Sequence, residues 1–173
     1  MKFEIAKLAY LGALGIAQKC YSDLGEKGKE IVRTNQFGET TLRIDWEIEE
    51  EIINHLKDLP GDEPIKIVSE EHGILDTGKN PKYLFVLDGM DGTKMYTANK
   101  CSGTMVGIFK GTNPRYADYL GGGIVIQKTG DVFYASRRLG SFIIDPTVSS
   151  NPNSTILAAK IYFWRTTNPE KIR

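Results

Sequence analysis

The spacing of apolar residues changes once along the chain. Up to about residue 60, apolar side chains recur at three- and four-residue steps, which is typical of amphipathic helices. This spacing predicts a first helix over residues 3–22, which ends or breaks at residues 25–29, and a second helix that opens at Thr41 or Asp45. The polar segment between the two helices, residues 35–40, predicts a loop.

Beyond the second helix, short apolar runs separated by Gly, Asn and Asp predict six strands. They cover residues 65–69, 82–87, 103–109, 122–128, 132–136 and 141–144. Helices followed by a series of strands predict an α+β fold, in which N-terminal helices pack on a mostly antiparallel six-stranded sheet. We assign residues 1–145 to this domain and the Pro-, Ser- and Asn-rich residues 146–173 to a linker and terminal segment, whose apolar residues 154–164 predict a last strand.

Composition narrows the class of protein. A chain of 173 residues is the size of one domain. Its 22 basic and 22 acidic residues balance, so total charge favours neither nucleic acid nor an anionic membrane as partner. The apolar run at residues 8–17 is too short to span a bilayer, and its helical spacing favours a core helix over a secretion signal. Cys20 and Cys101 lack metal-site or redox spacing, which predicts free thiols and a reducing, cytoplasmic location.

Acidic residues stand where two predicted strands end. An apolar run stops at Asp88, Asp91 follows across a turn, and Glu70 ends the strand before them. Magnesium takes oxygen ligands from one or two carboxylates, and an unpaired carboxylate next to a buried strand is unfavourable. These acids therefore predict a cation site, and the alternative is an Asp-Gly turn beside a solvated Glu70-Glu71 pair. His72 follows them, and its polar loop predicts a solvated side chain.

Gly92 and Thr93 come directly after the acidic turn. If a helical turn begins there, their backbone N–H groups point at a bound anion. The Thr93 hydroxyl can orient a water molecule. The cation site and the anion site would then adjoin each other, as phosphate chemistry requires.

Taken together, these motifs resemble those of the inositol monophosphatase and fructose-1,6-bisphosphatase superfamily of magnesium-dependent, lithium-sensitive phosphatases. That family carries Gly/Ser-Glu-Glu followed by Asp-Pro-x-Asp-Gly-Thr/Ser. Here the two motifs stand as Ser69-Glu70-Glu71 and Asp88-Gly89-Met90-Asp91-Gly92-Thr93. Thr41-x-x-x-Asp45 and the aromatic-rich residues 132–142 extend the resemblance over most of the first 145 residues.

The resemblance implies a set of metal ligands for two or three Mg²⁺ ions. Glu70, Asp88 and the backbone carbonyl of Met90 would hold one ion, and Asp88 and Asp91 would share a second. Asp45 would lie near a third position.

The resemblance also implies the reaction, which is hydrolysis of a phosphomonoester by an activated water. Glu70 with Thr93 would activate the water beside Asp88, and the Gly92 and Thr93 amides would hold the phosphate. The substrate would be a small sugar, inositol or nucleotide phosphate. A homo-oligomer or a separate C-terminal chain is the implied partner.

Two departures from the family pattern leave alternatives open. Gly89 replaces the family's proline, which predicts a looser turn. The Trp-Asp motif of the family's second domain has no counterpart, since Arg165 follows Trp164. The resemblance therefore implies that residues 146–173 are the stub of a missing second domain. A non-catalytic binding or interaction module is therefore one alternative. A haloacid-dehalogenase-like phosphatase is another, although its two acids stand two residues apart.

Overall fold

The elements alternate between helix and strand early in the chain and are almost all strands later. The structure is a computed structural model that describes residues 3–35, 38–60, 63–137 and 139–144. The helices are α1 (Phe3–Leu24), α2 (Arg43–Lys57) and the short α3 (Thr93–Thr97), with 3₁₀ turns at Gly25–Lys29 and Tyr116–Asp118. The strands are β1 (Ile31–Thr34), β2 (Thr40–Leu42), β3 (Ile65–Ser69), β4 (Gly73–Asp76), β5 (Tyr83–Asp91), β6 (Gly103–Lys110), β7 (Tyr119–Ile126), β8 (Val132–Ser136) and β9 (Gly140–Ile144).

Seven of these strands form one sheet in the order β4-β3-β5-β6-β7-β8-β9, and β1 and β2 form a separate hairpin. Neighbours in the large sheet are antiparallel except β3 and β5, which are parallel. Their register runs from Ile65 opposite Tyr83 to Ser69 opposite Leu87. The carboxyl end of β3 therefore lies beside Leu87 of β5, four residues before β5 ends.

Helices α1 and α2 cover one face of the sheet, with α1 against β6 and β7 and α2 against β5 and β3. Alternate residues of β5 point into this core because strand side chains alternate between faces. Helix α1 approaches β7 closely at Gly121, where an added Cβ would lie 2.6 Å from the Tyr10 ring. The largest fully buried apolar side chains are Tyr10, Phe85, Leu14, Ile44, Ile48, Ile52, Ile67, Met90, Ile108 and Val125.

Among the described residues, the opposite face of the sheet is partly exposed. A groove of about 700 Å³ runs along it from β5 to β9, with mostly apolar side chains. Val86, Ile124 and Phe133 line the groove and are 37–42% exposed.

The structure confirms the α+β fold and the mostly antiparallel sheet. The first helix and all six predicted strands are present, but β5 continues to Asp91 instead of ending at Leu87, and β7 begins at Tyr119 instead of Gly122. The number of strands was wrong, because the sheet has a seventh, edge strand, β4, whose four residues are only half-buried or exposed. The predicted loop at residues 35–40 was partly wrong, since Thr40 begins β2. Residues 146–173, with their predicted last strand, lie outside the described residues.

No helix among the described residues is both long and apolar enough to cross a membrane.

Candidate functional site

Strands β3 and β5 bring Glu70 and Asp88 to the same edge of the sheet. Ser69 and Leu87 form the last pair of their parallel register, and Glu70 and Asp88 are the next residues. The pairing of β5 with β6 becomes irregular after Asp88. There the Met90 N–H donates a hydrogen bond of 3.1 Å to Asp88 Oδ1. The irregularity frees the end of β5 from the regular ladder, as strand bulges near functional sites do.

Gly89 lies where α2 packs directly against this irregular segment. A Cβ at Gly89 would lie 2.9 Å from the Asp45 carbonyl oxygen and 2.9 Å from Glu49 Cγ. The Gly89 carbonyl accepts a 2.7 Å hydrogen bond from the Thr104 hydroxyl. The glycine that replaces the family's proline therefore permits close packing of α2, in addition to the looser turn that the sequence predicts.

Helix α2 places a third carboxyl group beside the strand ends. Asp45 lies in the first turn of α2 and is only 6% exposed. Burial, followed by the charges of Glu71 and Asp88, raises the pKa of Asp45 to about 8. Burial, followed by the charges of Glu70 and Asp91, raises the pKa of Asp88 to about 6.

Glu70 belongs to the same electrostatic cluster. Burial and then the charges of Glu71 and Glu39 raise its pKa, and Asp91 contributes further. The charges that perturb Asp45 and Asp88 are acidic too. Like charges close together disfavour ionisation of each other, and a bound cation would reverse that effect.

The described acidic side chains do not surround a single metal position. In the described part of the chain, no group of three or more His, Cys, Asp or Glu side chains is gathered closely enough to hold an ion. Asp91 is exposed, and the Met90 carbonyl accepts a 3.1 Å hydrogen bond from the Thr93 hydroxyl. The structure thus brings the predicted ligands into one neighbourhood without arranging them as a finished coordination shell.

A cleft of about 560 Å³ adjoins the cluster. Glu70, Gly92 and Thr93 line it, as does Lys94. Gly92 has a φ of +85°, a left-handed conformation that glycine adopts without strain, and it starts the turn of α3 at Thr93. Asp88 lines the apolar groove instead. The cleft is lined by Asn35, Glu39, Thr40, Leu42, Glu70, Glu71, Gly92, Thr93, Lys94 and Thr97.

The prediction for His72 was wrong, because its side chain is only 13% exposed. Its ring stacks on Trp46 with 3.8 Å between centroids, and the guanidinium of Arg33 lies 4.6 Å from the centre of the Trp46 ring. His72 Nδ1 lies 3.1 Å from Glu49 Oε2. These contacts join the β1–β2 hairpin, α2 and the segment after β3.

Glu49 is a further residue near the site that was not predicted from the sequence. This residue is 0% exposed, and its carboxylate accepts hydrogen bonds from the backbone N–H groups of Glu70, Glu71 and His72. The signal in the sequence was an acid on the apolar face of a helix, directly after Ile48.

The chain is thus an α+β domain in which the carboxylates of Glu70 and Asp88 follow the last residue pair of the parallel strands β3 and β5. No protein-family model matches the chain. The chain is 30% identical over 152 residues to a fructose-1,6-bisphosphatase/inositol-1-monophosphatase of Methanothermobacter thermautotrophicus, and the match covers 81% of this chain and 54% of the relative.

Two solved structures show the same fold. Fructose-1,6-bisphosphatase of Leishmania major has a TM-score of 0.65 and 17% identity, over 84% of this chain and 51% of that one. The extragenic suppressor protein SuhB of Bartonella henselae has a TM-score of 0.63 and 16% identity, over 80% and 50%. These comparisons confirm the resemblance: the chain is similar in sequence and in fold to proteins of the inositol monophosphatase and fructose-1,6-bisphosphatase type. It spans about half the length of the relatives that it matches.

Proposed function

We propose that this domain supplies the metal and phosphate site of a magnesium-dependent phosphomonoesterase. The observation that carries the proposal is the buried Asp45 beside the half-buried Asp88, whose pKa values are raised to about 8 and about 6 by burial and by neighbouring acids. Such a cluster is unfavourable in a protein that binds no cation, because each charge opposes the others. Perturbed acids gathered beside a cleft are typical of functional sites.

The donors fit magnesium, since all are oxygens and most are carboxylates. Glu70, Asp88, Asp91 and the Met90 carbonyl would hold two ions, and Asp45 would lie near a third. When bound, these ions would neutralise phosphate charge and lower the pKa of a water molecule.

The chain's own groups have separate tasks at the cleft. Glu70 would accept the proton of the attacking water, and the Thr93 hydroxyl would exchange its hydrogen bond to the Met90 carbonyl for one that orients the water. The Gly92 and Thr93 amides would bind phosphate oxygens. Lys94, which also lines the cleft, adds a positive charge beside them.

The substrate class that we propose is a small phosphorylated sugar, inositol or nucleotide. A cleft of about 560 Å³ is within the range of small-molecule sites. The relatives are about twice as long as the aligned part. We also propose a second copy of this chain or a separate C-terminal chain as the partner of this domain.

The test is phosphate release from inositol phosphate, fructose bisphosphate and phosphoadenosine phosphate, with and without magnesium. We expect magnesium-dependent release from at least one substrate. Asp88→Asn should lower it at least about a hundredfold, because the residue is proposed to contact both ions. The exposed Asp58→Asn is the matched control. The absence of both turnover and magnesium binding would exclude the proposal and favour a non-catalytic module.

A further inference from the structure

We propose that Glu49 is the positioning residue of the acidic loop, defined as residues 70–72, and that it sets the metal affinity of the site through this loop. The inference rests on the proposed function. Glu49 is not among the proposed metal ligands, and it acts through the backbone that carries them.

The contacts of Glu49 with the acidic loop are dense. Its Oε1 accepts the N–H of Glu70 at 3.2 Å, and its Oε2 accepts the N–H groups of Glu71 at 3.0 Å and His72 at 3.2 Å. Three consecutive N–H groups that point at one anion fix the backbone dihedrals of the segment. The His72 ring adds a fourth contact, with Nδ1 3.1 Å from Oε2.

Because Glu49 is fully buried, its carboxylate needs the N–H donors of the acidic loop, and these donors need its oxygens as acceptors. A fully buried carboxylate without donors is strongly unfavourable, and a buried N–H without an acceptor is unfavourable too. The donors in the loop therefore stabilise the Glu49 carboxylate, and the carboxylate holds the loop in one conformation.

Glu49 also packs against the segment of β5 that carries Asp88. Its Cγ lies within 2.9 Å of the position that a Cβ would take at Gly89, the residue after Asp88. One side chain on α2 thus contacts the backbone that carries Glu70 and packs against the backbone that carries Asp88. Glu49 is therefore placed to fix the separation of the two strand ends on which the proposed ligands stand.

Glu49→Gln tests this role because glutamine keeps the size of the side chain but has one acceptor oxygen where the carboxylate has two. Its NH₂ group must face at least one N–H donor of the acidic loop. We expect hydrogen exchange at one or more amides of residues 70–72 to accelerate about tenfold to a hundredfold. We expect magnesium affinity, measured by calorimetry, to fall about tenfold or more.

The control is Glu50→Gln, on the exposed side of the same helix, which should change neither measurement. Glu49→Asp keeps both acceptor oxygens and should recover part of the lost affinity. Equal acceleration of exchange throughout α2 and β3 would overturn the inference, because it would show a general structural role. Unchanged exchange at residues 70–72, or unchanged magnesium affinity, would overturn it as well.

The two proposals fail in different ways. A wild-type chain that binds no magnesium overturns the proposed function and the claim about affinity. Exchange at residues 70–72 in Glu49→Gln then still decides whether Glu49 anchors the acidic loop.

Discussion

Replacing Asp45 by asparagine is expected to stabilise the chain in the absence of metal. The Asp45 carboxyl ionises near pH 4 in an unfolded chain, whereas burial and neighbouring acids raise its pKa to about 8 in the folded one. Between these two values the folded state binds the additional proton, so stability falls as the pH rises from about 4 to about 8. At pH 7 the free energy of unfolding is lower than at pH 4 by about 4 kcal/mol, since each pH unit above 4 lowers it by about 1.4 kcal/mol.

The asparagine side chain in this variant is neutral at every pH and nearly the same size as aspartate, so most of this loss should disappear. In a chelating buffer, we expect Asp45→Asn to raise the free energy of unfolding by up to about 4 kcal/mol at pH 7 and to leave it unchanged at pH 4. For a domain of this size, the gain at pH 7 raises the melting midpoint by up to roughly 8–16 °C. The assay is thermal unfolding over this pH range, with the exposed Asp58→Asn as control. A variant that is no more stable at pH 7, or equally stabilised at both pH values, would refute the reasoning.

Three further predictions concern the packing and the thiols. Gly89→Ala should destabilise the fold by about 1–3 kcal/mol in urea unfolding, because its Cβ would meet the α2 backbone. The control is Gly15→Ala, whose Cβ would have nothing within 4 Å and which should not destabilise the fold. Equal destabilisation by the two substitutions would contradict this. Thr41→Val should lower the free energy of unfolding by about 1–3 kcal/mol, because the buried Glu71 carboxylate loses the hydrogen bond from the Thr41 hydroxyl. Thr41→Ser keeps the hydroxyl and should have a much smaller effect, and unchanged stability of Thr41→Val in urea unfolding would contradict this. Cys101 is exposed and should react with a thiol reagent faster than Cys20, whose pKa burial raises; the reverse order would contradict the structure.

The placement of Glu70 and Asp88 directly after two apolar runs could be predicted from local sequence, although β5 itself continues to Asp91. An apolar run that stops at Asp88 shows where the strand delivers its acid, and Glu70 follows the neighbouring run in the same way. Edge strand β4 was missed because its four residues, Gly73–Asp76, are too short and too exposed to show an apolar pattern.

The parts of the site that depend on tertiary contacts could not be predicted. Glu49 and His72 are adjacent in space although 23 residues separate them in sequence, and neither local pattern indicates the other. The role of Gly89 likewise depends on how closely α2 approaches, which no spacing within β5 reveals.

The most direct measurement of the central claim is a magnesium titration by calorimetry at pH 8, on the wild-type chain and on Asp88→Asn. At that pH the Asp88 carboxyl, with a pKa of about 6, is ionised and available to a cation. We expect saturable binding to the wild-type chain and a loss of about tenfold or more in affinity in Asp88→Asn. Equal affinity in the two proteins, or no binding to either, would contradict it.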